Sequence, residues 1–131
     1  MPADYPESVA AALGALDDFM AALNARDEAG INAAYNFPHV RITGNNEVVT
    51  FENRGDYKFE YFDRRTKADG WHRSEWDKRE VIYAGPDKVH LDVVFSRYRE
   101  DGSLIATYRS LYIVTNVDGR WGIQARSSFA P

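Results

Sequence analysis

The chain has 131 residues, of which 44% are hydrophobic and 14% aromatic, and it carries a formal net charge of -4. This length suits one hydrophobic core, so we predict a single domain over residues 1–131. The acidic balance, with Lys and Arg scattered among Asp and Glu, argues against a nucleic-acid partner, which needs a basic surface. The absence of cysteine excludes disulfides and thiolate metal sites and agrees with a cytoplasmic location.

The hydropathy pattern predicts no membrane partner. The sequence contains no run of about 18 apolar residues that could cross a bilayer. Its first residues also lack the basic and apolar regions of a secretion signal. We therefore expect neither secretion nor a membrane-spanning segment.

Two helices are predicted at the start of the chain. From residue 7 to about residue 24, apolar side chains recur at alternating spacings of four and three residues, which places them on one helical stripe. These stripe residues are Val9, Leu13, Leu16, Met20 and Leu23. A second, short helix is predicted to begin near Asp27, which can cap it, and to end before Pro38.

A small hairpin and a third helix are predicted next. Residues 40–43 and 48–51 are rich in β-branched side chains and flank a Gly-Asn-Asn turn. Asn53 and Asp56 then resemble a capping box, which predicts a helix from about residue 53 to Gly70. Tyr57 is expected on the inward face of this helix.

Four long strands are predicted between residues 71 and 129. They are separated by turn sequences at residues 85–87, 101–102 and 118–119, and the last two are Asp-Gly pairs typical of tight hairpins. The element order is therefore helix, helix, hairpin, helix and a four-strand meander.

The last turn and strand, DGRWGIQARSSF at residues 118–129, resemble the D-G-x-W-x-I segment of nuclear-transport-factor-2-like proteins. The element order is also similar to that superfamily, which includes polyketide-cyclase-like, ketosteroid-isomerase-like and scytalone-dehydratase-like members. The resemblance implies an α+β, cone-shaped, cystatin-like fold, with three N-terminal helices packed on a curved, mainly antiparallel sheet. Because one such scaffold hosts unrelated activities, function has to be argued from the site.

The two Asp-Gly turns assign the strand residues to faces, because residues opposite each other in an antiparallel pair point to the same side. The more apolar face is predicted to lie under the helices and to line a ligand cavity. On the last strand the rule turns Ala125 and Ser127 inward and Arg126 outward. The candidate ligand-binding residues are Tyr57, Trp76, Phe95, Arg97, Tyr108, Ser110 and Tyr112.

Arg97 is the charged member of this inward set. Inside a cavity it needs an anion, supplied by the protein or by a ligand. Alternatively, it lies at the open rim and reaches solvent.

The outward face combines apolar and polar side chains, a pattern typical of an interaction surface. Similar members of the superfamily often form dimers through this face, so we predict a homodimer. The residues expected at its interface are His90, Asp92, Val94, Arg109, Leu111, Ile113 and Arg126.

The register of the strand at residues 71–84 stays open, because the loop at 85–87 allows an even or an odd length. The favoured register turns His72 and Trp76 inward and Arg79 outward. The other register turns Glu75 and Asp77 inward.

His39 and His72 are the candidate catalytic residues, since imidazole can act as a general base near neutral pH. His39 is expected at the cavity mouth. The histidine spacing matches no metal-binding motif, and no nucleotide-binding motif occurs, so neither a metal nor a cofactor is expected.

Three uses of the cavity remain open. The favoured one is binding of a small, mostly apolar ligand that carries an anionic or carbonyl group. The second is a cofactor-independent isomerase, cyclase or dehydratase acting by acid–base chemistry, which the lack of Asp and Glu on the inward face of the last three strands disfavours. The third is a structural dimer whose cone is filled by its own side chains.

Overall fold

The computed structural model describes residues 4–131 as an α+β fold with three α-helices and a six-stranded sheet. A short 3₁₀ helix, Lys67–Asp69, follows the third helix. The elements are α1 (Pro6–Asn24), α2 (Glu28–Ala34), β1 (Tyr35–Ile42), β2 (Val48–Phe51), α3 (Phe59–Thr66), β3 (Trp71–Ala84), β4 (Lys88–Arg99), β5 (Leu104–Val117) and β6 (Arg120–Ser128).

The strands form one curved sheet in the order β2-β1-β6-β5-β4-β3. Neighbouring strands are antiparallel except β1 and β6, which are parallel. Helix α1 packs across the inner face of the sheet, and Leu16, Phe19, Val93 and Ile123 are buried between them. The predicted fold class, three N-terminal helices on a mainly antiparallel sheet, is confirmed.

The helices follow the sequence signals with one exception. The carboxylate of Asp27 accepts a hydrogen bond from the backbone N–H of Gly30 at 3.0 Å and so caps α2 as predicted. The third helix begins at Phe59, not near residue 53. Asp56 instead accepts from the backbone N–H of Asn53 at 2.8 Å and closes a turn, so Tyr57 precedes the helix. None of the helices within residues 4–131 is long and apolar enough to span a membrane.

The predicted register holds between β4 and β5, where Phe95 lies opposite Tyr108 and Leu91 opposite Tyr112. At the next hairpin, Asp118 and Gly119 adopt left-handed φ angles of 53° and 83°, as a two-residue turn requires.

Strand β6 contains a bulge that the sequence rule missed. Val114 pairs with Ile123, but Ile113 pairs with Ala125, so Gln124 is an extra residue on β6 with no paired residue on β5. A single extra residue exchanges the two faces of the strand beyond it. Arg126 therefore faces inward opposite Tyr112, and the predictions for Arg126, Ala125 and Ser127 were wrong.

Strand β3 has three such irregularities, so neither register proposed for it holds throughout. Trp76 pairs with Phe95 and faces inward, as in the favoured register. The shift after Trp76 turns Arg79 inward, where it pairs with Asp17 of α1. The predicted outward position of Arg79 was therefore wrong.

The candidate acids and the second histidine lie outside the cone. Glu75 and Asp77 are exposed, and Asp77 accepts a hydrogen bond from Ser96. His72 is exposed as well, because the first irregularity of β3 falls at its position, so its predicted inward orientation was wrong.

Candidate functional site

The inner face of the sheet, α1 and α3 enclose a narrow cavity. Its volume is about 30 Å³, the space of one or two ordered waters, and about 490 Å³ when the open mouth is included. We call the aromatic and aliphatic side chains of its lining the aromatic wall, and the arginines with the hydroxyl groups the polar wall. The lining residues are Phe19, Met20, Leu23, Tyr35, Arg41, Tyr57, Tyr61, Phe62, Trp76, Phe95, Arg97, Tyr112, Arg126 and Ser128.

Buried polar contacts hold the loop and the strand that carry two of these aromatic residues. The side chain of Asn32 accepts from the backbone N–H of Tyr57 at 3.3 Å and donates to the carbonyl oxygen of Tyr57 at 2.9 Å. Trp76 donates its indole N–H to the carbonyl oxygen of Leu16 on α1 at 3.3 Å. The aromatic wall is therefore positioned by both helices and sheet.

Three arginines and no carboxylate define the charge of the cavity. Arg41 of β1 and Arg97 of β4 are each only 5% exposed, and Arg126 of β6 is partly buried. Among the lining residues there is neither Asp nor Glu. A buried charge without a counter-charge is costly, so this arrangement favours an anion from outside the chain.

Each of the three guanidinium nitrogens of Arg126 donates a hydrogen bond to another side chain. Its Nη2 donates to the hydroxyl of Tyr35 at 2.8 Å, its Nη1 to the hydroxyl of Tyr112 at 3.5 Å, and its Nε to Nε2 of His39 at 3.3 Å. Burial lowers the pKa of Arg126, but the ionisable hydroxyls of Tyr35 and Tyr112 raise it by more, so the group stays charged. Burial in turn raises the pKa of Tyr35 to about 12.

His39 lies beneath this network and not at the cavity mouth, so its predicted position was wrong. Its side chain is 0% exposed and stacks on the ring of Tyr35 at 3.8 Å. Its Nδ1 lies 2.8 Å from the carbonyl oxygen of Ile123 and therefore donates, which leaves Nε2 to accept from Arg126. Burial and, to a smaller extent, the charge of Arg126 lower the pKa of His39 to about 3. The imidazole is neutral, and both nitrogens are occupied.

Arg41 is partly satisfied by the protein. Its Nη1 donates to the hydroxyl of Tyr61 at 3.1 Å and its Nη2 to the carbonyl oxygen of Ala130 at 3.2 Å, whereas Nε has no partner within the described residues. Burial lowers the pKa of Arg41, and the nearby charge of Arg126 adds to this effect.

Arg97 donates no side-chain hydrogen bond to any residue between 4 and 131, and its Nε is buried without a partner. The centre of its guanidinium lies 5.3 Å, 5.7 Å and 5.0 Å from the ring centroids of Phe62, Phe95 and Tyr108. Burial lowers the pKa of Arg97 to about 10, so it is still charged at neutral pH.

The hydroxyl groups add donors to the cavity. The oxygen of Ser128 accepts from the hydroxyl of Ser110 at 2.8 Å and from the backbone N–H of Ala130 at 3.1 Å, which leaves its own proton free to donate. The oxygens of Tyr35 and Tyr61 likewise accept from arginines. The polar wall is therefore rich in donors and poor in acceptors.

The structure brings most of the predicted ligand-binding residues together. Five of them line the cavity: Tyr57, Trp76, Phe95, Arg97 and Tyr112. The remaining two lie just behind the lining, since the ring of Tyr108 packs on Arg97 and Ser110 supports Ser128.

Sequence reasoning missed Arg41 and Arg126, the other two charges of the cavity. Arg41 lies on β1, where His39, Arg41 and Thr43 are buried and the apolar Val40 and Ile42 are less so, which is the reverse of what the hydropathy alternation indicates. The inward orientation of Arg126 can be predicted only if the bulge at Gln124 is known.

Of the residues predicted for a dimer interface, Leu111, Ile113 and Arg126 line a shallow apolar groove on the outer face of the sheet. Leu111 and Ile42 are 38% and 40% exposed there. Asp92 is paired with Lys78 at 3.0 Å, and His90 packs edge-on against Tyr83. The outer groove, as we call it, is lined by Val40, Ile42, Leu111, Ile113, Ala125, Arg126 and Ser127.

The sequence profile of an NTF2-like protein family (DUF6841) matches residues 11–128. Because this match spans most of the sequence, the chain belongs to that family. Among curated proteins, none matches the chain significantly.

Solved structures show the same fold. An NTF2-like protein of unknown function from Shewanella oneidensis MR-1 has a TM-score of 0.71 at 15% identity, with 92% of this chain and 97% of that one covered. A protein of unknown function with a cystatin-like fold from Nostoc punctiforme PCC 73102 gives 0.76 at 12% identity, covering 95% and 91%. A ketosteroid isomerase-like protein from Erwinia carotovora atroseptica SCRI1043 gives 0.68 at 15% identity, covering 97% and 100%. At such identities the likeness shows the fold alone.

Proposed function

We propose that this NTF2-like domain binds a small organic anion in its cavity. The observation that carries the proposal is the set of three arginines lining one cavity without a carboxylate among the lining residues. An anionic ligand supplies both the missing counter-charge and the missing acceptors, and charge-assisted hydrogen bonds are about twice as strong as neutral ones. The proposal retains binding of a small ligand as the use of the cavity, and it makes the anionic group the main feature of that ligand.

The other wall of the cavity fits the apolar part of such a ligand. Phe19 and Met20 of α1, Phe62 of α3 and Trp76 of β3 contribute carbon surface to the same lining as the arginines. A mainly apolar lining with a few convergent polar groups is the usual composition of a small-molecule site. The ligand is therefore amphipathic, with one charged end and a short apolar body.

Acid–base catalysis has less support than binding. A general base must reach the proton that it removes and have a pKa near the working pH. His39 has a pKa of about 3 and both nitrogens occupied, and His72, Glu75 and Asp77 are exposed outside the cone. We therefore favour a binding domain over the isomerase, cyclase or dehydratase alternative.

A matched ligand series tests this proposal. Thermal unfolding and titration calorimetry are measured with benzoate, benzamide and benzylamine, and with the smaller pair acetate and acetamide, in buffer of low ionic strength. We expect the anions alone to raise the Tm, since a ligand at 100 times its Kd stabilises the native state by about 2.7 kcal/mol. Equal shifts for the amides, or no shift with any anion, contradict the proposal.

We also propose that two copies of the domain pair through the outer groove. Apolar side chains are exposed in this groove, which is unusual for a sheet face that only meets solvent. Contiguous apolar surface rimmed by polar groups is typical of an interface. The side chain of Arg126 faces the cavity although the residue also lines the groove, and Val94 and Arg109 lie opposite each other on β4 and β5. A cytoplasmic location stays a prediction from the cysteine-free composition.

A further inference from the structure

We infer that the anionic group is a carboxylate held in the fork of Arg97, and this inference rests on the function proposed above. The three arginines of the cavity differ in how many of their nitrogens are already bonded. Arg126 uses all three nitrogens, and Arg41 uses two. Arg97 uses none within the described residues. Arg97 is therefore the arginine with the fewest of its donors already bonded.

The surroundings of Arg97 restrict the direction from which a ligand can approach. The rings of Phe62, Phe95 and Tyr108 lie within 5.7 Å of the guanidinium centre. Aromatic faces attract a cation but do not replace the hydrogen bonds of its N–H groups. Since guanidinium donors lie in one plane, the ligand atoms that satisfy them lie in that plane as well. A planar carboxylate with two parallel acceptors fits this geometry.

The number of free donors also favours a carboxylate over a phosphate. An ionised carboxylate has about four lone-pair sites. Arg97, Arg41 with its unbonded Nε–H, and Ser128 with a free hydroxyl proton all line the same cavity. A phosphate has more oxygens and a larger charge, so more of its acceptors would face aromatic carbon without a donor.

Ligands with the same ring and different anionic groups test the inference. Benzoate, benzenesulfonate and phenylphosphonate are titrated calorimetrically into the wild type, Arg97→Lys, Arg97→Met and Arg109→Lys. Arg109 lies on the outward face of β5 and is exposed, so it provides a matched control. We expect wild type to bind benzoate at least tenfold more tightly than the other two anions. Arg97→Lys should weaken benzoate tenfold or more, because lysine lacks the fork, whereas Arg109→Lys should not change it.

Stability without ligand separates a binding role from a structural role. Arg97 makes no hydrogen bond that holds the fold, so unliganded Arg97→Met should unfold at the same temperature as wild type or higher. A structural arginine would instead lower the Tm on replacement. The same measurement confirms that each variant is folded before titration.

The possible results separate the proposed anion binding from the preference for a carboxylate and from the role of Arg97. If wild type binds none of the three anions, the proposed function itself fails. If it binds the sulfonate or the phosphonate as tightly as benzoate, the domain binds anions but the carboxylate inference is overturned. If Arg97→Lys and Arg97→Met retain wild-type affinity for benzoate, the assignment of Arg97 is wrong. A selective loss of benzoate binding in both Arg97 variants supports the inference.

Discussion

Acid should destabilise this domain through one buried imidazole, that of His39. The side chain is 0% exposed, donates from Nδ1 to the carbonyl oxygen of Ile123 and accepts at Nε2 from Arg126. A proton on Nε2 would replace that acceptor by a second donor and place a positive charge beside a guanidinium. Burial and this repulsion are the reasons why the pKa falls to about 3.

The expected effect follows from the two pKa values of His39. In the unfolded chain the pKa is about 6.5, so above that pH the imidazole is neutral in both states and contributes no pH dependence. Below pH 6.5 the unfolded chain takes up a proton that the native state does not bind until about pH 3. Stability is therefore lost as the pH falls, by about 1.4 kcal/mol per pH unit, which gives about 3 kcal/mol between pH 6.5 and pH 4.5.

Urea unfolding between pH 7.5 and pH 4.5 measures this loss. The variant His39→Gln removes the titration, and His72→Gln removes an exposed imidazole as the control. We expect the wild type and His72→Gln to lose about 3 kcal/mol more than His39→Gln over this range. Parallel stability curves for all three proteins, or an imidazole of His39 that titrates near pH 6.5 by NMR, would refute the reasoning.

Two further predictions concern the backbone of β6 and the outer groove. In Gly122→Ala the new Cβ would lie 2.8 Å from the backbone N of Asn36, so we expect the free energy of unfolding in urea to fall by about 3 kcal/mol. Gly14→Ala is the control, because its helical site is open, and it should raise that free energy by about 0.5–1 kcal/mol. Equal effects would contradict the close contact. Leu111→Asp should convert a dimer to a monomer in light scattering, whereas Leu104→Asp, which is exposed outside the groove, should not. A monomeric wild type at micromolar concentration would overturn the dimer.

The parts of the fold that the sequence predicted correctly depend on local rules. The Asp118-Gly119 turn needs left-handed φ angles, which glycine and aspartate tolerate, so its position fixes the start of the register. The pairing of β4 with β5 follows by alternation from the separate turn at Asp101-Gly102, and it places Arg97, Phe95 and Tyr112 on the inner face. Each of these steps uses residues close together in the chain.

The parts that it missed depend on contacts between distant residues. The bulge at Gln124 is one such case, because its side chain accepts from Thr115 of β5 and donates to the carbonyl oxygen of Pro38 in β1. The start of α3 is another, since Glu28 of α2 accepts from the backbone N–H of Phe59 at 2.7 Å. Neither partner can be found from the local pattern.

The bulge at Gln124 connects the fold to both proposed surfaces. Strict alternation would place Arg126 outward, among the apolar residues of the outer groove, and would turn Ala125 inward. The cavity would then have two arginines, and the charge of the third would interrupt the surface on which a second copy is proposed to pack. With the extra residue, Arg126 reaches Tyr35, Tyr112 and His39, and its charge adds to the burial that keeps the imidazole neutral. One residue that bonds to two neighbouring strands therefore sets the charge of the cavity and the apolar character of the groove together.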